Sequence, residues 1–181
     1  MKHRRTSVAS VATLLLIGGA FIATSLQQFS AAAVSALAKD GVAALNKPAP
    51  KFNLKTIDGQ IFSLAAHRGK PVIIFAMFGG CGECVPVGRT LNRIQKEFAA
   101  KGLVIVAFDI LKGEPTSVLE QYRSYIHAGF QFISYDAGLA NAYKLTAPEI
   151  TYVIDKNGIV VFINRKALSY KLYRQQVKRA L

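Results

Sequence analysis

The stretch Phe75-Ala76-Met77-Phe78-Gly79-Gly80-Cys81-Gly82-Glu83-Cys84-Val85-Pro86 decides how this chain folds. An apolar block runs into two glycines, then into two cysteines separated by two residues, then into a segment of helical periodicity. A Cys-x-x-Cys at a strand-to-helix turn is the arrangement dithiol redox chemistry needs. The first thiol meets outward-pointing helix N–H groups, which favour its thiolate. The second is near enough to attack a mixed disulfide formed at the first. Following Gly79-Gly80, Cys81 is expected at the surface and Cys84 beneath it.

Other uses of the pair fit less well. Cys81 and Cys84 are the only cysteines among 181 residues, and His3, His67 and His127 are not spaced as a ligand pair. A structural zinc site needs four ligands, so no metal is expected. Two inert buried thiols are at odds with the glycines before Cys81. A purely structural disulfide closing so small a ring removes little chain entropy.

Hydrophobic residues make up 51% of the chain, enough for one core, and the formal charge is +13. Such a charge suggests nucleic acid, but no helix-turn-helix, RNP-like or phosphate-loop motif accompanies it. The basic residues are dispersed except at the two ends. The C-terminal group (Arg165, Lys166, Lys171, Arg174, Lys178, Arg179) is most simply a solvated helix face. Its functional alternative is attraction to anionic lipid or to an acidic partner.

Residues 1–5 are a basic head, and Thr6 to Ala38 carry no charge. A positive segment followed by an apolar one marks an export signal or an N-terminal membrane anchor. The uncharged run is long enough for a bilayer of ~30 Å, which favours a retained anchor. The positive-inside rule then puts the rest of the chain outside the cytoplasm. Residues 39–48 read as a linker and 49–181 as the folded domain.

Within that domain, Phe52–Thr56 and Gln60–Leu64 flank Asp58-Gly59, a hairpin signal. Pro71–Phe78 and Leu103–Phe108 are continuous apolar runs, expected as strands buried on both faces. Pro86–Ala100, with Val87, Leu91, Ile94 and Phe98 in phase, is expected as a helix between them. The unit is strand-helix-strand with a parallel pair. A helix at Ser117–Ala128, a strand at Phe132–Tyr135 and a short helix at Ala137–Tyr143 follow. A second hairpin around Asp155-Lys156-Asn157-Gly158 and a terminal helix at Ala167–Leu181 complete an α/β domain with a mixed central sheet flanked by helices.

The order of Ala49-Pro50-Lys51-Phe52-Asn53-Leu54, Asp58-Gly59, Ser63-Leu64, Gly69-Lys70-Pro71-Val72, the cysteine pair and Tyr152-Val153-Ile154-Asp155-Lys156-Asn157-Gly158 resembles that of thioredoxin-like proteins. It is most similar to the TlpA/ResA group and the neighbouring AhpC/TSA redoxins, over residues 46–181. The resemblance implies a thioredoxin-like fold and thiol-disulfide oxidoreductase activity at Cys81 and Cys84, with no cofactor beyond that redox-active disulfide. It also implies exported proteins with disulfides, including apocytochromes, as substrates, and a membrane or extracytoplasmic electron donor. Pro148, followed by Glu149, is the candidate for the proline that faces the cysteines and is cis in such proteins; it lies one residue further from Asp155 than usual, so it is either that proline shifted by one residue or an ordinary loop proline.

The chain departs from that pattern where protons are handled. Gly80 replaces the usual Trp, Val87 and Arg89 replace a Glu and a Pro after the pair, and Phe75 stands where thioredoxins bury an Asp. Glu83 is the only carboxylate near the dithiol in sequence. Its charge disfavours the thiolate and raises the thiol pKa, which lowers the reduction potential and suits the protein to donating electrons. Two rivals complete the set. A peroxiredoxin-like peroxidase would need Pro-x-x-x-Thr/Ser-x-x-Cys, and neither cysteine has those neighbours. A copper-binding assembly factor resembling SCO proteins would use two thiolates and His127, but with three residues between the cysteines.

Overall fold

The computed structural model describes residues 41–181. Its strands are β1 (Asn53–Lys55), β2 (Ile61–Ser63), β3 (Val72–Met77), β4 (Val104–Asp109), β5 (Gln131–Ile133), β6 (Thr151–Ile154) and β7 (Val160–Asn164). Its α-helices, in chain order, are α1 (Cys84–Phe98), α2 (Thr116–Tyr125), α3 (Ala137–Ala142) and α4 (Tyr170–Ala180). β1 and β2 form the expected hairpin, and the other five strands form one sheet in the order β5-β4-β3-β6-β7. β3, β4 and β5 run parallel, while β6 and β7 are antiparallel to their neighbours, so the sheet is mixed.

β3 is central, and every one of its residues is buried. With period-2 alternation its two faces feed separate cores. Ile73, Phe75 and Met77 join Ile105, Ala107, Phe132 and Val153 under α1, α2 and α4. Val72, Ile74 and Ala76 join Val106, Phe108, Tyr152 and Ile154 under the hairpin and α3. The fully apolar run of β3 is therefore the signature of a strand covered on both sides.

Helix α1 buries Val87, Leu91, Ile94 and Phe98 along one stripe. It begins at Cys84 rather than at Pro86 as predicted, and Pro86 is its third residue. A first-turn proline loses nothing, because N–H groups there have no intrahelical acceptor. At the far end Gly102 takes φ +80° and turns the chain into β4.

Residues 43–48, expected within the linker, are bonded to the domain. The Ala43 N–H donates to Ala142 O and the Asn46 N–H to Val160 O, each at 2.7 Å, and Pro48 bridges to Ile159. Asn46, Lys47 and Pro48 pair alongside the outermost strand, β7, a tertiary event that composition does not report. The predicted export segment, residues 1–38, lies outside the described residues. Among those described, no helix is long and apolar enough to cross a membrane.

Candidate active site

The parallel strands β3 and β4 end at one edge of the sheet, and Phe78-Gly79-Gly80 carries the chain from that edge into α1. Cys81 and Cys84 lie at this turn and are joined by a disulfide, with Cα atoms 5.2 Å apart. Both belong to the cluster under α1 that contains Phe75 and Met77. The Cys84 N–H donates to Cys81 Sγ at 3.1 Å. The same N–H, in the first turn of the helix, also donates to Cys81 O at 3.1 Å, so the sulfur shares this donor with the backbone.

Cys81 is more enclosed than predicted. It is 6% exposed, against 0% for Cys84. It lies on the wall of a shallow cleft of about 460 Å³, opposite Val118, Gln121, Tyr122 and Tyr125. The opposite wall of this cleft comes from α2, a helix well separated from Cys81 in sequence. Gly79-Gly80 alone could not report it. Access to the sulfur is through this cleft, past Gly80 and Gly82, which are exposed.

Glu83 is exposed and makes no capping hydrogen bond to α1, although it stands at the N-cap position. Pro148 and Glu149 reach the same sheet edge. The Glu149 N–H donates to Ala76 O and the Ala76 N–H donates to Ile150 O, both at 2.8 Å. The bond from Ala147 to Pro148 is trans, not cis as the resemblance implied, and no cis bond occurs among the described residues. The unusual backbone falls one residue later, at Glu149, whose φ is +65°. The extra residue between Pro148 and Asp155 is thus accommodated by a left-handed Glu149. Its Oε1 is buried without a hydrogen-bond partner.

His127 is not brought to the dithiol. Its carbonyl accepts from Asn92 Nδ2 at 2.6 Å. Asn92 lies two turns along α1 from Cys84, or ~12 Å at 1.5 Å per residue. The three-ligand copper arrangement is not assembled.

Sequence reasoning missed two carboxylates. Asp109, at the end of β4, is 1% exposed and pairs in register with Met77. Its Oδ1 accepts from the Leu111 N–H at 2.8 Å, while Oδ2 has no partner. Burial, helped by the nearby Glu114 carboxylate and opposed by the Leu111 bond, pushes its pKa up to about 6. Glu114 Oε2 accepts from the Gly79 N–H at 2.7 Å, tying the loop after β4 to the turn that carries the cysteines. The sole available signal was an Asp at the end of an otherwise apolar strand run.

The same arrangement recurs in known proteins. The model of the AhpC/TSA family matches residues 45–163. The chain belongs to the AhpC/TSA family. This AhpC/TSA member is 26% identical to the thioredoxin-like protein YneN of Bacillus subtilis over 132 residues, 71% of this chain and 76% of that one. It is also 26% identical to the thiol-disulfide oxidoreductase ResA of Geobacillus thermodenitrificans, over 76% of both chains. Among solved structures, a thiol:disulfide interchange protein of Chlorobium tepidum superposes with a TM-score of 0.67 at 23% identity, covering 77% of this chain and 99% of that one. The last likeness establishes the thioredoxin-like fold. With its Cys-x-x-Cys pair at the strand-to-helix turn and relatives so named, this AhpC/TSA member is a thiol-disulfide oxidoreductase.

Proposed function

We propose that the protein reduces disulfides in exported proteins from the extracytoplasmic side of a membrane, to which its N-terminal segment tethers it. Cys81 is the attacking thiol and Cys84 the resolving one. The observation that carries this assignment is the Cys84 N–H directed at Cys81 Sγ. A thiolate at 81 is stabilised by that donor and by the helix terminus, whereas a thiolate at 84 is enclosed by apolar side chains. Cys81 attacks a substrate disulfide, and the mixed disulfide is then broken by Cys84, which closes the Cys81–Cys84 bond and releases the second substrate thiol. The cleft beside Cys81 admits an extended substrate segment; Pro148 and Glu149, which do not line that cleft, are the loop that would contact substrate backbone from the β6 side.

The direction of electron flow follows from the negative groups around the pair. Glu83 lies in the turn, and Asp109 and Glu114 stand at the same sheet edge; each disfavours the thiolate form and so favours donating electrons. The electron donor is a dithiol partner at the membrane or outside it. The tether rests on the charge-free run from Thr6 to Ala38 behind a basic head.

Two measurements test the proposal. In cells, Cys84→Ser should accumulate mixed disulfides with exported proteins, and Cys81→Ser should accumulate none; adducts on the Cys81→Ser protein instead would reverse the two roles. A reduction potential near about −120 mV, that of a strongly oxidising dithiol, would overturn the reductant assignment.

A further inference from the structure

The five-stranded sheet has two ends, and charge divides between them. The cysteine end carries Glu83, Asp109, Glu114 and Glu149. At the opposite end β3 starts at Val72, in register with Val104 of β4 and Ile154 of β6. Four separate stretches of chain meet there. The Gly69 N–H donates to Lys156 O at 2.9 Å, and the Lys156 N–H donates to Ala180 O at 3.3 Å. Arg68 lies over Gly158, and Lys70 Cγ stands 3.4 Å from where a Cβ on Gly102 would be. Lys101 adjoins that glycine, with its Nζ 5.7 Å from the centroid of the Phe98 ring. Lys178 and Arg179 lie in the last turn of α4, beside Ala180. Arg68, Lys70, Lys101, Lys156, Lys178 and Arg179 are all exposed.

Little acid offsets these bases. Asp155 spends its Oδ1 on the N–H groups of Asn157 and Ile159, at 2.9 and 2.8 Å. Glu97 is held by Tyr170 and Arg174. Among the described residues the ion pairs, Arg123–Asp58 and Arg174–Glu97, use none of the six. The fold thus divides the basic run seen at the C-terminal end of the sequence. Arg174 is paired, and Arg165 and Lys166 follow β7 at the cysteine end, where Asn164 pairs with Thr151. The described chain also enters beside the basic end. The Ala49 N–H donates to Gly158 O at 2.9 Å, and the Lys47 N–H donates to Ala44 O at 3.2 Å, closing a turn that keeps the preceding residues close by. In that entering segment Val42 and Leu45 are large apolar side chains left 49% and 52% exposed.

We propose that this basic end rests on the anionic headgroups of a phospholipid bilayer, with Val42 and Leu45 entering the interface and the cysteine end turned away from the lipid. The proposal rests on the tether described above, which brings a bilayer within reach. Each Lys or Arg held at an anionic surface then tightens the contact about five-fold. That pull acts within a Debye length, ~10 Å at 0.1 M salt, so bases gathered on one end fix an orientation where dispersed ones would not. Apolar side chains rimmed by bases are the pattern of segments that lie in a membrane interface, the long basic stems covering apolar surface while their charges stay with the headgroups. An acidic protein would meet the same charges, but the exposed Val42 and Leu45 lead back toward the charge-free run from Thr6 to Ala38, which matches lipid. The orientation leaves the cleft beside Cys81 open to substrates arriving from the aqueous side.

The test is residue-by-residue lysine labelling of the full chain with an amine-reactive reagent, read by mass spectrometry. The chain is reconstituted on vesicles of phosphatidylcholine alone and of phosphatidylcholine with phosphatidylglycerol. Lys112, in the loop between Asp109 and Glu114, serves as the internal reference at the cysteine end. On the anionic vesicles Lys70, Lys101, Lys156 and Lys178 should label several-fold more slowly relative to Lys112 at about 0.05 M salt, and the protection should vanish at about 0.5 M. Lys70→Gln combined with Lys156→Gln should lower the salt concentration at which Lys101 loses its protection. Equal labelling of these lysines on the two kinds of vesicle would overturn the proposal. So would protection by soluble poly-glutamate in the absence of any on anionic vesicles, which would assign the surface to an acidic protein. A chain that fails to bind phosphatidylcholine vesicles at any salt concentration would overturn the tether instead, and salt-dependent protection on the anionic vesicles would still support the basic end as a lipid contact.

Discussion

The hydroxyl of Tyr122 donates to the carbonyl oxygen of Cys84 at 2.6 Å, in a buried contact between α2 and the first turn of α1. It bridges 38 residues of sequence and holds the Cys84 backbone against the helix that walls the cleft. Tyr122→Phe should destabilise the oxidised protein by about 1 kcal/mol, the usual net value of such a bond. Burial holds the Tyr122 hydroxyl well above its ordinary pKa, so it remains a donor throughout the neutral range. The cost measured by urea unfolding should therefore be the same at about pH 5.5 and pH 8.5, since the bond titrates at neither. A loss confined to one of them would contradict the assignment.

Gly88 faces Tyr122 of α2 and Ile126 just beyond it. A Cβ there would come within 2.6 Å of Ile126 Cδ1 and 2.8 Å of Tyr122 Oη. Alanine gains about 1 kcal/mol in helix propensity over glycine. Overpacking costs about 1–3 kcal/mol, and here the tyrosine cannot yield without surrendering Cys84 O. The packing term should win, so Gly88→Ala should lower stability by about 1–2 kcal/mol. A raised midpoint in denaturant would show that α2 can slide.

Asp109 gives the protein an unusual pH dependence. Its pKa is raised from 3.8 to about 6 in the folded chain. Below pH 3.8 the group is protonated in both folded and unfolded states, and its contribution is neutral. Between 3.8 and about 6 the unfolded chain releases this proton while the folded chain keeps it, so stability falls as the pH rises. Above that range the folded chain buries a charge, and the loss is complete. At about 1.4 kcal/mol per pH unit it comes to roughly 3 kcal/mol by pH 7.5. Asp109→Asn should accordingly match wild type near pH 4 and exceed it by up to about 3 kcal/mol at pH 7.5, as read from denaturant unfolding of the oxidised form. Equal stabilities at both pH values would mean that the carboxylate is better solvated than its burial indicates.

Glu149 holds a left-handed backbone, which costs a residue with a Cβ about 1–2 kcal/mol. Glu149→Gly should recover about 1 kcal/mol after the added entropy of the unfolded glycine is set against it. Glu149→Ala keeps the strain and should not raise the melting temperature. Should the alanine variant gain as much as the glycine one, the buried Oε1 rather than the backbone would be the source of the cost.

Much of this molecule was legible along the chain because the deciding features are local. An apolar run between a proline and two glycines is a covered strand in almost any context. A stripe at 87, 91, 94 and 98 is a helix face, and a cysteine pair ahead of that stripe stands at a helix N-terminus. The hairpin turn at Asp58-Gly59 and the pair Cys81–Cys84 follow from adjacent residues alone.

What surrounds the sulfurs was decided elsewhere. Residues from α2 wall the cleft beside Cys81, the end of β4 places Asp109 next to Met77, and the loop after β4 hands a carboxylate to Gly79. A left-handed Glu149 then absorbs the extra residue before β6. Each depends on sheet register and on helix packing between segments far apart in the chain, and neither propensity nor spacing encodes such distances. The chain by itself specified the cysteine pair and the elements that carry it. The tertiary structure determined their enclosure and the charges around them, because burial and electrostatics are properties of neighbours in space.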